Sequence, residues 1–197
     1  TGIKENYYAK GVSPFIKQTF DNNTINGEPW SKYAAGYMWG VTGIIYNPED
    51  VTKQEASTWK IINNDKFRRM ITVKDNVRDT MFAAIGAIKS DKLRSQDFIR
   101  QADYTDKLAE EMNDTSKDTV DEVLEYLQQV KDNVYSFETD SGKIDAITGK
   151  ISAGYQWSGD AVYIMQQAEA NDVELNFAIP EECTNMYFDG WAMLKSG

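Results

Sequence analysis

Residues 151–162, ISAGYQWSGDAV, change period half-way, and this limits the architectures open to the chain more than any other feature. Ile151, Ala153 and Tyr155 alternate with smaller or polar residues, the two-residue repeat of a half-buried strand, whereas Ala161, Val162, Ile164, Met165 and Ala168 recur at helical spacing. A strand therefore runs directly into a helix. Ser158 is the expected N-cap, which puts Trp157 on or just past the last strand residue and Asp160 in the first helical turn. The event repeats earlier in the chain. Met70-Ile71-Thr72-Val73 reads as a short buried strand, followed by a helix capped by Asp75 with Val77, Met81, Phe82, Ile85 and Ile88 on its core face. Residues 118–131 carry Val120, Val123, Leu124, Leu127 and Val130 as one apolar stripe, a helix that should cover a sheet face. Strands alternating with helices in this way give an α/β, three-layer lobe.

The remaining segments fit around that frame. Residues 13–20 form a short helix, and Asp21-Asn22-Asn23-Thr24 with Asn26-Gly27 and Pro29 reads as loop. Residues 33–46 are the most strand-like piece, interrupted at Gly40 and closed by Asn47-Pro48, with Trp59 as an anchor in the connection that follows. Short helices are expected around 98–102, 104–112 and 143–147, and strands around 134–137, 173–179 and 188–194. Tyr37, Trp39 and Trp191 read as core residues.

Composition removes several classes of function. The 197 residues contain no histidine, which excludes a Ser-His-Asp or Cys-His centre and any imidazole-ligated metal. The single cysteine, Cys183, has no partner within the chain and no histidine to activate it, so it reads as a buried, inert thiol. With 31 Asp plus Glu against 21 Lys plus Arg, the net charge of -10 argues against a nucleic-acid backbone and suits a cationic partner. No run approaches the eighteen apolar residues of a membrane span, and no charged-then-apolar leader is present. Thr1 suggests a processed or trimmed chain. A chain of this length can bury roughly 70% of its unfolded surface without a metal or disulfide staple.

The candidate site lies where strands end. Ligands in open α/β sheets collect outside the carboxyl ends of strands, where Trp157 and Asp160 fall. Met186-Tyr187-Phe188-Asp189-Gly190-Trp191 brings aromatics and a carboxylate together again, and two such clusters suggest a site for a cation. Capping and the helix dipole explain acids at helix N-termini, which covers Asp75 and Asp160 better than Asp79, one turn in. Asp189, inside an apolar strand end, should need a partner.

Taken together and in this order, Trp39-Gly40-Val41-Thr42-Gly43-Ile44-Ile45-Tyr46-Asn47, the helix opening at Asp75 to Asp79, Trp157-Ser158-Gly159-Asp160-Ala161, and Pro180-Glu181-Glu182 followed by Tyr187-Phe188-Asp189 resemble the spermidine/putrescine-binding proteins of bacterial ABC importers. The resemblance covers residues 34–194 and implies the second lobe of a type II periplasmic-binding-protein fold with a mixed sheet. Residues 1–33 would then be an inter-lobe or residual first-lobe segment, and 34–197 the second lobe. It also implies a linear polyammonium held between two lobes, aromatic rings along its methylenes and carboxylates on its nitrogens. Carried onto this chain, the ligand-binding residues are Asp79, Trp157, Tyr187 and Asp189, with Asn76 and Asp160 beside them. Three positions depart from the family pattern. Tyr187 stands where Trp is frequent, Asn76 where a second helix acid is common, and Cys183 where glycine is usual.

The implied protein is an extracytoplasmic, non-enzymatic component, periplasmic or on the cell surface and lipid-anchored in its full-length parent, without cofactor or metal. Its partners are a polyamine and a membrane permease, with no nucleic acid and no second copy of the chain. Other readings are a binding protein for a different small cation, a protein-interaction module, and a hydrolase using Asp160 and Asp189 as a carboxylate pair about 5 to 9.5 Å apart.

Overall fold

The structure, a computed structural model, describes residues 11–192 and 194. In chain order the elements are α1 (Pro14–Asp21), β1 (Thr24–Ile25), β2 (Glu28–Pro29) and β3 (Ala35–Tyr46), then α2 (Lys53–Ala56) and β4 (Ile71–Lys74). Helices α3 (Val77–Ile88), α4 (Ser90–Leu93), α5 (Gln96–Ile99), α6 (Tyr104–Met112) and α7 (Lys117–Asn133) follow. The chain continues through β5 (Ser136–Glu138), α8 (Gly142–Ile147), β6 (Ala153–Trp157), α9 (Ser158–Glu169), β7 (Asn176–Ala178) and β8 (Met186–Trp191). The described residues form two compact units, a larger one of Val41–Asn185 and a smaller one made of those up to Gly40 and those from Met186 onward.

The larger unit is built on a mixed sheet. Strands run in the order β5-β4-β6-β3-β7, with β4 parallel to β5 and β6, and the second half of β3 antiparallel to β6 and β7. On one face Ile71, Val73 and Tyr155 pack with Trp59, Ala83, Ala87 and Val130; on the other, Ile45 and Ile151 pack with Ala146, Ala161, Ile164 and Ala168. This is the expected three-layer α/β sandwich. Trp59 is the anchor its sequence context suggested, fully buried, edge-on to Phe82 and Tyr155, and donating its indole N–H to the Cys183 carbonyl at 3.0 Å.

Two helices turn differently from their sequence pattern. In α3 the buried residues include Ala83, Ala84, Ile85, Gly86 and Ala87, while Val77 is 77% exposed. The cause is Trp59: a Cβ on Gly86 would stand 2.6 Å from its ring, so the helix presents its small residues there to let the indole approach. In α7 Val123 and Val130 are buried, but Val120 and Leu124 face out, so the stripe is narrower than five residues. The caps differ too. Asn76, not Asp75, caps α3 by accepting the Asp79 N–H at 2.8 Å. Trp157 is both the last residue of β6 and the N-cap position of α9, without a side-chain cap, and Ser158 Oγ instead accepts the Val41 N–H at 3.1 Å.

In the smaller unit the expected loop after α1 is a hairpin. Asn26 (φ 52°) and Gly27 (φ 78°) supply the two positive-φ residues of the tight turn joining β1 to β2. β8 pairs with β3, and its two-residue alternation turns Phe188 onto Phe20 (ring centroids 3.7 Å apart) and Trp30 (4.5 Å). Tyr187, Asp189 and Trp191 take the opposite face. The expectation that Trp191, Tyr37 and Trp39 are core residues is therefore wrong: Trp191 is 68% exposed, its ring meets Tyr37 edge-on at 5.4 Å, and Tyr37 and Trp39 are exposed as well. The β3 strand also runs through Gly40 without a break.

Candidate functional site

The carboxyl ends of the parallel strands β5, β4 and β6 carry the polar cluster of the larger unit. β4 is uncharged until its last residue, Lys74, which the register sets beside Glu138 at the end of β5. Both side chains are buried. Lys74 Nζ donates to the Thr139 carbonyl at 2.8 Å and to Glu138 Oε1 at 3.3 Å, and lies 4.4 Å from the centre of the Trp157 ring. Glu138 in turn accepts from the Gly142 N–H at 2.9 Å and from Gln156 Nε2 at 3.4 Å. Burial pushes the Lys74 ammonium below the usual lysine range, and the Glu138 charge pulls in the other direction.

Asp160, in the first turn of α9 as expected, is held by Lys143 at 2.9 Å, and Lys143 also reaches Asp140 at 2.9 Å. These two acids hold the Lys143 ammonium above its ordinary value against the opposing effect of burial. Asp160, one member of the carboxylate pair in the hydrolase reading, is thus committed to an ion pair.

Asp79 is placed otherwise. It is only 5% exposed, in the first turn of α3, and its Oδ2 accepts from Asn76 Nδ2 at 2.8 Å. Among the described residues no cation is paired with it. Tyr155 lies nearby on the same side of the sheet, and burial, together with the charge of Asp79 and its hydrogen bond to that carboxylate, raises its pKa. Asn76 spends both amide groups on Asp79, one as a cap and one as a donor. Trp157 is half-buried.

The other two candidate residues, Tyr187 and Asp189, belong to the smaller unit, on the face of β8 away from Phe188. Tyr187 is half-buried, and Asp189 is exposed rather than enclosed in an apolar strand end, so it carries no burial penalty to explain. Cys183 behaves as an inert thiol: burial pushes it up to about 12, and it contacts Met112 Sδ at 3.5 Å.

Sequence reasoning missed Lys74 and Glu138. The one visible sign was a lysine closing an otherwise uncharged, buried strand; its partner lies 64 positions on. Among the described residues no group of acids and cysteine is placed to hold a metal ion, and no helix is long and apolar enough to cross a membrane.

Comparison with known proteins decides the family. Residues 3–196 match the family described as bacterial extracellular solute-binding protein. The chain belongs to that family. It is similar to the putrescine-binding periplasmic protein PotF of Escherichia coli K12, with 24% identity over 169 residues, covering 84% of this chain and 43% of that protein. It is also similar to spermidine/putrescine-binding periplasmic protein 1 of Haemophilus influenzae, with 20% identity over 83% of this chain and 39% of the relative. Among solved structures, the spermidine/putrescine ABC transporter substrate-binding protein PotD of Streptococcus pneumoniae superposes with a TM-score of 0.70 at 19% identity, covering 96% of this chain and 50% of that one. The likeness shows the fold, that of substrate-binding proteins, and the chain spans half or less of the length of these relatives.

Proposed function

We propose that the chain is one lobe, residues 34–197 with 1–33 as an inter-lobe or first-lobe segment, of the solute-binding component of an ABC importer. That protein captures a polyamine outside the cytoplasmic membrane and delivers it to a permease. The observation that carries this reading is Asp79: a nearly buried carboxylate at the ligand end of the sheet, with no cation of the protein's own among the described residues. A buried charge is costly unless it is paired, and a ligand ammonium supplies the partner. A charge-assisted hydrogen bond of this kind contributes about 1.5 to 3 kcal/mol, and an ammonium on an aromatic face about 0.5 to 2 kcal/mol. The polyamine specificity named for the relatives points to the same ligand class.

In this reading Asp79 grips an amine and Trp157 packs on its methylenes, with closure of two lobes around the ligand as the switch; Tyr187 and Asp189, in the smaller unit, are ligand-binding candidates on the family resemblance. Asn76 acts through Asp79, and Asp160 through Lys143. The test is titration of the chain with putrescine, spermidine and a neutral sugar, followed by indole N–H resonances in nitrogen-15 NMR spectra at millimolar ligand. The amines shift the Trp157 signal, assigned with Trp157→Phe, and the sugar does not. No shift with any amine sinks the proposal. Binding by this chain alone is expected to be weaker than micromolar, because an open site leaves its charges screened by water.

A further inference from the structure

The ion pairs at the strand ends leave little charge for a ligand to meet. Four carboxylates of the larger unit are at least partly withdrawn from water or paired there: Asp79, Glu138, Asp140 and Asp160. Glu138 is neutralised by Lys74, and Asp140 and Asp160 share Lys143. Asp75 and Arg78, at the same end, are exposed to solvent. Of these four, only Asp79 combines burial with the lack of a cation among the described residues; Glu182 is likewise buried without a cation, but it accepts from the Thr58 and Ser90 hydroxyls and the Trp59 N–H.

The aromatic side is equally committed. A ring face attracts one cation within about 6 Å of its centre, and one Trp157 face already has Lys74 Nζ at 4.4 Å. Lys74 has no exposed surface and is fixed from three sides, by Glu138, the Thr139 carbonyl and the indole, so it does not swing away as a surface lysine would. A second ammonium brought to this indole would meet a like charge at short range in a partly desolvated place.

We infer that Lys74 is a specificity-determining residue: it fills, with the protein's own ammonium, the cation place on Trp157, so that this unit takes a single ammonium from its solute, at Asp79, and receives uncharged carbon on the remaining indole surface. The inference rests on the polyamine reading above and narrows it. The solute class presented to this unit is an alkylammonium with one charged end, and further amines along the chain gain nothing here.

A charge series on the 197-residue protein tests it. Butylamine, putrescine and spermidine carry one, two and three ammonium groups, and they are titrated at about 150 mM salt, where the Debye length of about 8 Å removes the general attraction to an acidic surface. Affinity, read from the Trp157 indole N–H shift, is expected to stay within about threefold across the series for the native chain. Lys74→Arg, which keeps a cation on the ring, retains this flat profile. Lys74→Met frees Glu138 and the indole face together, and putrescine and spermidine then gain about tenfold or more over butylamine, as an ammonium with a carboxylate partner should.

Because Lys74→Met strands a buried carboxylate, Lys74→Met/Glu138→Gln is measured beside it; this pair frees the ring without the acid and gains a few-fold by the cation–π contact alone. A native profile already rising tenfold with each added amine, or flat profiles in both Lys74→Met proteins, overturns the inference and leaves the polyamine reading standing. No response to any amine overturns both.

Discussion

The two strand-to-helix junctions of the larger unit look alike in sequence and differ in chemistry. Each follows a buried strand, each opens a helix, and each sets an aspartate in the first turn, where the dipole favours it. At the end of β6 the aspartate, Asp160, is partly exposed and answered by Lys143; at the end of β4 the aspartate, Asp79, is nearly buried and answered by the Asn76 amide and the nearby Tyr155, with no cation among the described residues. The first is an ordinary ion pair. The second lacks a cation among the described residues, and on the proposed reading it is this junction, not the other, that meets the ligand's ammonium. Lys74 sharpens the contrast, since it grows from the β4 end yet serves its two neighbours, with its ammonium on Glu138 at the end of β5 and on Trp157 at the end of β6.

The strongest way to break this contrast is to remove Lys74. Its pair with Glu138 is fully enclosed, so Lys74→Met leaves a buried carboxylate without compensation, which costs about 3 to 5 kcal/mol. Adding Glu138→Gln is expected to restore most of that loss. Urea denaturation of the single and double variants reads both values, and a single variant as stable as the native chain would mean that the pair is not enclosed in solution.

Asp79→Asn is the next largest and acts in the opposite sense. It keeps the shape and removes the unanswered charge, so amine affinity falls about tenfold or more, about 1.4 kcal/mol, while folding stability holds or rises. Affinity by NMR titration and stability by urea midpoint separate the two effects. A fall in stability with unchanged affinity would make Asp79 a structural acid and equate the two junctions.

Asn76→Ala follows. It deletes the α3 cap and the hydrogen bond to the Asp79 carboxylate, an expected loss of about 1 kcal/mol that lowers the melting temperature by about 2 to 4 °C. Asn76→Asp restores the cap but sets a second charge against Asp79. Recovery of stability at neutral pH without recovery of α3 capping in amide exchange would be inconsistent with this geometry.

What the sequence made legible, and what it did not, follows the range of the interactions. The β6-to-α9 junction, the position of Trp157, the cap expected near residue 75 and the α/β layering depend on periods and neighbours within a dozen residues, and they were read within one or two positions. Asp75 for Asn76 is an error of that local kind. The cap expected from Ser158 is absent, because its hydroxyl serves Val41, 117 positions away. The exposure of Val77 and of Trp191 was not readable, because it is set by Trp59 pressing on Gly86 and by Phe188 stacking on Phe20 across long loops. The candidate site fared likewise. Asp79 and Asp160 were named from the family resemblance, but which one is neutralised depends on Lys143, whose reach only the folded sheet defines.

The smallest expected effect tests the quieter junction. In Asp160→Asn the lost pair is about a quarter exposed on both sides, and Lys143 keeps Asp140 at 2.9 Å, so the ammonium is not stranded. Surface pairs of this type contribute about 0 to 1 kcal/mol, and the dipole effect of one acid in a first turn is of similar size and screened by salt. A loss below about 1 kcal/mol, shrinking further in high salt, is therefore expected, with amine affinity unchanged. If Asp160→Asn instead weakened amine binding as much as Asp79→Asn does, Asp160 would be gripping ligand despite Lys143, and the two junctions would form one shared acidic site.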